Sequence, residues 1–117
     1  QAGRFSKSNR NMPLPFFQIL LSHDPTHWRK EVLPDFPEID LTLSGHTHAM
    51  QFGIENRFLK WSPSKWIFNE WAGLYSNNEN TSNPQYLYVN RGLGHLGFPG
   101  RVGIRPEITL ITLIREE

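Results

Sequence analysis

The nonapeptide Asp40-Leu41-Thr42-Leu43-Ser44-Gly45-His46-Thr47-His48 decides how the rest of this chain reads. From Ile39 to Ser44, apolar and polar residues alternate, which is the period of a half-buried strand. Gly45 interrupts the pattern and permits a tight turn or a close backbone approach. Two histidines then follow one residue apart, at the C-terminal end of the strand. In an extended segment such residues point to the same side, and in a turn they diverge. Either way both can reach one metal cluster, and imidazole suits Zn, Fe, Ni and Cu. Two imidazoles fill only part of a coordination shell. Loop histidines bonded to nearby backbone are the alternative reading of the same residues.

Upstream, Phe16–Leu21 (FFQILL) is a short apolar run before Ser22-His23-Asp24-Pro25, and it predicts a buried strand. Asp24 suits an N-cap and Pro25 the first helical position, so a short helix is expected through about Leu33, ended by Pro34 and Pro37. His23 therefore also follows a strand, and it can meet His46 and His48 at one sheet edge, a favoured place for active sites. His27 on the helix reads as a solvated residue. Downstream, residues 50–55 predict a short strand and Gln85–Asn90 another. Between them lies a long excursion with Trp61, Trp66 and Trp71 and an Asn-rich run, Ser76–Asn83. The tryptophans read as pins for this loop, with a lipid or sugar platform as the alternative, and the Asn-rich run reads as a mobile polar tip. Glu107–Ile114 alternates but is apolar on both faces, which predicts a strand covered on both sides.

Arg91 follows the strand QYLYVN and precedes Gly92-Leu93-Gly94. An arginine beside flexible backbone can hold an anion bidentately; a surface salt bridge is the alternative. Arg101 and Arg105 carry the same reading with less support, and His95 lies in the Gly-rich stretch 92–103. That stretch lacks the G-x-x-x-x-G-K-[ST] pattern of a P-loop.

Composition narrows the function classes. The chain has 117 residues, 38% hydrophobic and 13% aromatic, with a formal charge of +1. Disordered chains have fewer aromatics and more net charge. Nucleic-acid binders usually carry a basic excess or stripe, and neither is present. With no cysteine, disulfide scaffolds and thiolate metal sites are excluded. No apolar run approaches the roughly 18–20 residues that span a bilayer. Nine glycines and nine prolines predict many turns and a thin core, with one short helix to cover a sheet.

The segments ILLSHDP (19–25), DLTLSGHTH (40–48), LYVNRGLG (87–94) and RPEITLITL (105–113) together resemble, in order, the C-terminal half of the calcineurin-like metallophosphoesterases, closest to a bacterial, membrane-associated branch. The resemblance implies an α/β fold: half of a four-layered α/β/β/α sandwich, mostly β with one short helix. Residues 1–15 would be a lead-in and 16–117 the C-terminal portion of the domain. It further implies that His23 and His46 bind one divalent metal and His48 a second (Mn, Zn, Fe or Ni). Ser22 and Gly45 would shape the turns, and Arg91, Gly92 and Gly94 would lie near the phosphate. The reaction would be phosphate-ester hydrolysis by metal-activated hydroxide.

The family's Asp-x-His, Gly-Asn-His and related upstream motifs are missing here, and Ala49-Met50 stands where this branch usually has Gly-Gly. The chain therefore reads as a fragment that is inactive alone. Its partners would be a phosphate-ester substrate and the missing N-terminal half, with self-association of the exposed surface possible and a membrane reached only through missing segments. A non-catalytic scaffold on the same fold is the alternative. A small β domain with a structural metal is a weaker one, because such zinc sites are usually four-coordinate.

Overall fold

The computed structural model describes residues 17–115 and contains six strands: β1 (Ile19–Ser22), β2 (Leu41–Ser44), β3 (Ile54–Glu55), β4 (Lys60–Trp61), β5 (Gly73–Asn77) and β6 (Gln85–Val89). Four of them form one sheet in the order β1-β2-β6-β5. β1 and β6 both run parallel to β2, whereas β5 is antiparallel to β6. β3 and β4 pair separately as a small antiparallel ladder. Parallel neighbours need crossover connections. A helical segment makes the first, between β1 and β2, and residues 45–84 make the second. The architecture is mixed α/β, mostly strands with one short helical segment, in keeping with part of an α/β/β/α sandwich.

The helical segment begins as its sequence requires. The Asp24 carboxylate accepts the Thr26 N–H at 2.8 Å, with buried Pro25 beside it. A π-turn (Trp28–Val32) runs into a final α-helical turn, α1 (Leu33–Asp35), so the helix passes through Pro34 instead of stopping at Leu33. In a regular α-helix the Pro34 ring would press on the carbonyl four residues back. The wider turn ahead of it, in which the Leu33 N–H reaches the Trp28 carbonyl, relieves that contact.

Trp28 and Val32 pack on Leu87 and Val89 of β6, with Leu20, Leu33, Ile39 and Tyr75 around them. In β6, Gln85, Leu87 and Val89 are buried while Tyr86 and Tyr88 are half-buried on the other side, the period of two that a strand imposes. A second core joins Ala49, Trp71, Ala72 and Ile104, with Phe68 against it.

Four expectations change. Glu107–Ile114 forms no strand ladder and is not covered on both sides: Ile108 and Leu110 are 85% and 92% exposed, while Glu107 and Thr109 are half-buried against Tyr88 and Asn90. Among the described residues no sheet edge pairs with it. The strand expected at 50–55 shrinks to β3, because a left-handed turn occupies its start. The Asn-rich run is partly structured, since Ser76 and Asn77 belong to β5. Of the three tryptophans, Trp71 is buried and pins the excursion, Trp61 is half-buried, and Trp66 is exposed and meets Trp61 edge-on at 5.9 Å. The lead-in 1–15 lies outside the described residues.

Candidate metal centre

Ser22 and Ser44 are register partners at the ends of β1 and β2, and Ser44 also pairs with Val89 of β6. Three parallel strands therefore release their following residues at one rim. The loops are stitched together there. The Ser44 hydroxyl and the Gly45 N–H both donate to the His23 carbonyl, at 3.0 and 3.3 Å, and the Asn90 N–H donates to the Ser44 carbonyl at 2.8 Å. The result is that the His23 and His46 rings lie 4.5 Å apart, tilted by 59°.

His46 is held in a strained backbone. Its φ is +68°, and the Thr47 N–H bonds across it to the Gly45 carbonyl at 2.8 Å. Such a three-residue turn pushes its central side chain outward. Thr47 fixes the turn by donating its hydroxyl to the Trp71 carbonyl at 2.7 Å. Phe68 meets the His46 ring edge-on at 5.8 Å.

The next four residues all have left-handed φ: His48 (+48°), Ala49 (+49°), Met50 (+50°) and Gln51 (+57°). For non-glycine residues this costs about 1–2 kcal/mol each. Surrounding bonds hold the turn in place. Ser62 donates to the Ala49 carbonyl at 2.7 Å, and the Gln51 amide donates to the Phe98 and Gly100 carbonyls at 2.9 and 2.6 Å. The Leu96 N–H donates to the Gln51 side-chain oxygen. The turn and the Gly-rich loop thus form one unit. Strain so held is characteristic of functional sites. It also gives a physical reason for a Gly-Gly preference where this chain has Ala49-Met50.

The His48 ring rests on Gly92, where an added Cβ would stand 3.7 Å from Nδ1. That Nδ1 is buried and has no hydrogen-bond partner. Burial, followed by the charges of Arg101, His46 and His23, lowers the His48 pKa, so the imidazole is neutral at neutral pH, the form that binds metals. A cavity of about 290 Å³ opens beside His46 and His48, with Met50, Gln51, Phe68 and Leu96 among its walls.

The other candidates sit differently. Arg91 donates through Nε to Glu107 at 2.9 Å and through Nη1 to Glu55. Glu107 also accepts from the Tyr88 and Thr109 hydroxyls. Burial opposes ionisation of Glu107, but these donors outweigh it and bring its pKa down to about 2. Gly92 (φ +76°) donates its N–H to the Asn90 side chain at 2.6 Å, whereas Gly94 is exposed. The Ser22 hydroxyl meets His27 Nδ1 at 3.1 Å, so His27 is a half-buried partner of the turn and not a fully solvated residue. His95 and Arg105 are exposed. The sequence does not announce the contacts of Gln51 and Phe68, nor those of Arg101 with the glycine loop. Only the tertiary meeting of the 92–103 loop with the left-handed turn gives them a place.

The donors fit part of a divalent-metal shell. His23 and His46 are side by side, and His48 carries a buried nitrogen without a partner. No oxygen donor completes the set: Asp24 already caps the helix, and among the described residues no group of three or more His, Asp or Glu is assembled to hold an ion.

The chain is similar to a transmembrane protein with metallophosphoesterase domain from Danio rerio, at 41% identity over 96 residues, which cover 81% of this chain and 20% of that protein. The relatives it resembles are named metallophosphoesterases. An uncharacterized metallophosphoesterase of Bacillus subtilis is 38% identical over 97 residues (83% of this chain, 31% of the relative). One from Helicobacter pylori is 32% identical over 108 residues (92% and 25%). The chain thus spans between a fifth and a third of the length of these relatives. No family model matches it, nor does any solved structure at a significant level.

Proposed function

We propose that the complete polypeptide carrying this chain is a metal-dependent phosphoester hydrolase with a two-metal site, and that this chain supplies one wall of it. The observation that carries the reading is the His23–His46 ring pair at adjacent ends of parallel strands, with His48, whose buried Nδ1 has no hydrogen-bond partner, two residues after His46. The similarity to metallophosphoesterases supports it. His23 and His46 would hold one divalent ion and His48 a share of the second, leaving oxygen donors to be supplied from outside the described residues. Ions bound there would supply the positive charge that polarises a phosphoryl group and lowers the pKa of water. Ser22 and Gly45 set the turns that present the rings. Arg91, Gly92 and Gly94 form the loop that borders the phosphoryl group. With no carboxylate in the donor set, residues 1–117 alone would turn over substrate poorly or not at all.

Membrane association of the complete protein belongs to the same proposal, because some relatives are named as transmembrane proteins. Among the described residues, no helix is long and apolar enough to cross a membrane.

The test is metal content and p-nitrophenyl phosphate hydrolysis by the complete protein, with His46→Ala and His48→Ala. The expected outcome is loss of bound Mn or Zn and a fall in kcat of at least a hundredfold, with the melting temperature little changed. Full metal occupancy and full activity in both variants would exclude the assignment. A metal-free, inactive parent protein would favour the scaffold reading.

A further inference from the structure

Two arginines flank the glycine loop, and their surroundings differ in charge. Arg91 lies between Glu55 and Glu107, so its single positive charge faces two carboxylates. Glu107 accepts bonds from Tyr88, Thr109 and Arg91 and stays ionised in all but strong acid. Lys60 couples to the same group, which is therefore close to neutral overall, and a phosphoryl dianion brought to Arg91 would have to compete with two carboxylates for its guanidinium.

Arg101 has no such partner among the described residues. Its hydrogen bonds end on backbone carbonyls. Nη2 donates to Arg91 at 2.8 Å, Gly92 at 3.1 Å and Gly94 at 2.8 Å, and Nε donates to Gly94 at 3.2 Å. Nη1 makes only a 3.5 Å contact, to the His48 carbonyl. Carbonyls orient a guanidinium but leave its charge in place. The geometry also fixes where that charge lies. A Cβ added to Gly92 would stand 3.7 Å from His48 Nδ1 and 4.0 Å from Arg101 Nη2. The bare Gly92 backbone thus brings the His48 ring and the Arg101 guanidinium close to the same point of the loop.

We propose that Arg101, and not Arg91, presents the positive charge that binds the substrate's phosphoryl oxygens, through its under-used Nη1 edge beside His48. Arg91 is then a positioning residue: with Glu107 it anchors the loop whose carbonyls aim Arg101. With Nε and Nη2 committed to carbonyls, Nη1 alone remains for the ligand, and a terminal, doubly charged phosphoryl group is favoured because a charged acceptor strengthens that contact most. This inference rests on the phosphoesterase reading above.

The test separates charge from clamping in the complete protein, with inorganic phosphate as the probe. Arg101→Gln keeps a donor for the carbonyls and removes the charge; Arg101→Lys keeps the charge. By calorimetry, the dissociation constant for phosphate should rise at least tenfold in R101Q and no more than about threefold in R101K, with the fall steepest at low salt. Equal losses in both variants would make Arg101 a clamp alone and overturn the proposal, as would a larger loss in Arg91→Ala than in R101Q. Should either Arg101 variant fail to fold, ¹⁵N resonances of the unmodified protein decide: phosphate should shift the Arg101 Nε signal more than that of Arg91, and the reverse order refutes the idea. A protein that binds phosphate and hydrolyses phosphoesters while indifferent to Arg101 sinks this inference alone. One that binds no phosphate and hydrolyses none sinks the phosphoesterase reading with it.

Discussion

The two faces of the four-stranded sheet are made by the same strands and have opposite fates. On one, Trp28 and Val32 seal Leu87 and Val89 from water. On the other, Ile19, Leu21 and Leu74 are 47%, 76% and 65% exposed, and the apolar segment after Glu107 is exposed with them. Both faces are apolar enough to be cores. Among the described residues only one has an element to cover it, so the period of two in a strand tells which side chains share a face but not which face finds a cover.

Three substitutions would break or sharpen this contrast. The largest effect is expected from Trp28→Ala, which opens the sealed face at its bulkiest side chain and should cost about 3–5 kcal/mol of unfolding free energy. Denaturant melts check this, and a loss under about 1 kcal/mol would mean that the sealed face is not the core.

Glu107→Gln comes next. Glu107 ties the otherwise bare C-terminal segment to Tyr88 and to Arg91. Removing its charge should cost about 2–3 kcal/mol at neutral pH. Its pKa is depressed in the fold from 4.5 to about 2, so its contribution is complete above pH 4.5 and fades as the pH falls toward 2. The parent and variant stabilities, measured against pH, should converge in that window; a constant gap would rule the linkage out.

The smallest effect is expected from Leu21→Ser on the open face, within about 0.5 kcal/mol. A loss above about 1.5 kcal/mol in chemical denaturation would show that this face is covered in solution.

The sequence carried the parts of the fold that depend on local pattern. The alternation in 39–44 and 85–90 placed β2 and β6, and Asp24-Pro25 placed the helix start. The histidines were legible because they follow strands directly. What could not be read depends on contacts between distant segments. Glu107–Ile114 has the pattern of a strand, but a strand needs a neighbouring edge, and among the described residues none is paired with it. From its place directly after a strand, Arg91 reads equally as an anion ligand or as a salt-bridge partner. Glu55 and Glu107, 36 and 16 residues away, neutralise it, and nothing local announces them. Pro34 reads as a stop, yet a widened turn carries the helix past it.

The left-handed turn at 48–51 has a consequence for which residues can be inherited there. Met50 is 42% exposed, so by accessibility almost any side chain would be tolerated. Handedness sets a different filter. Valine, isoleucine and threonine are excluded because a branched Cβ clashes in this backbone, whereas glycine and asparagine enter freely. At this corner of the protein, the substitutions open to evolution are chosen by the sign of a torsion angle more than by polarity or size.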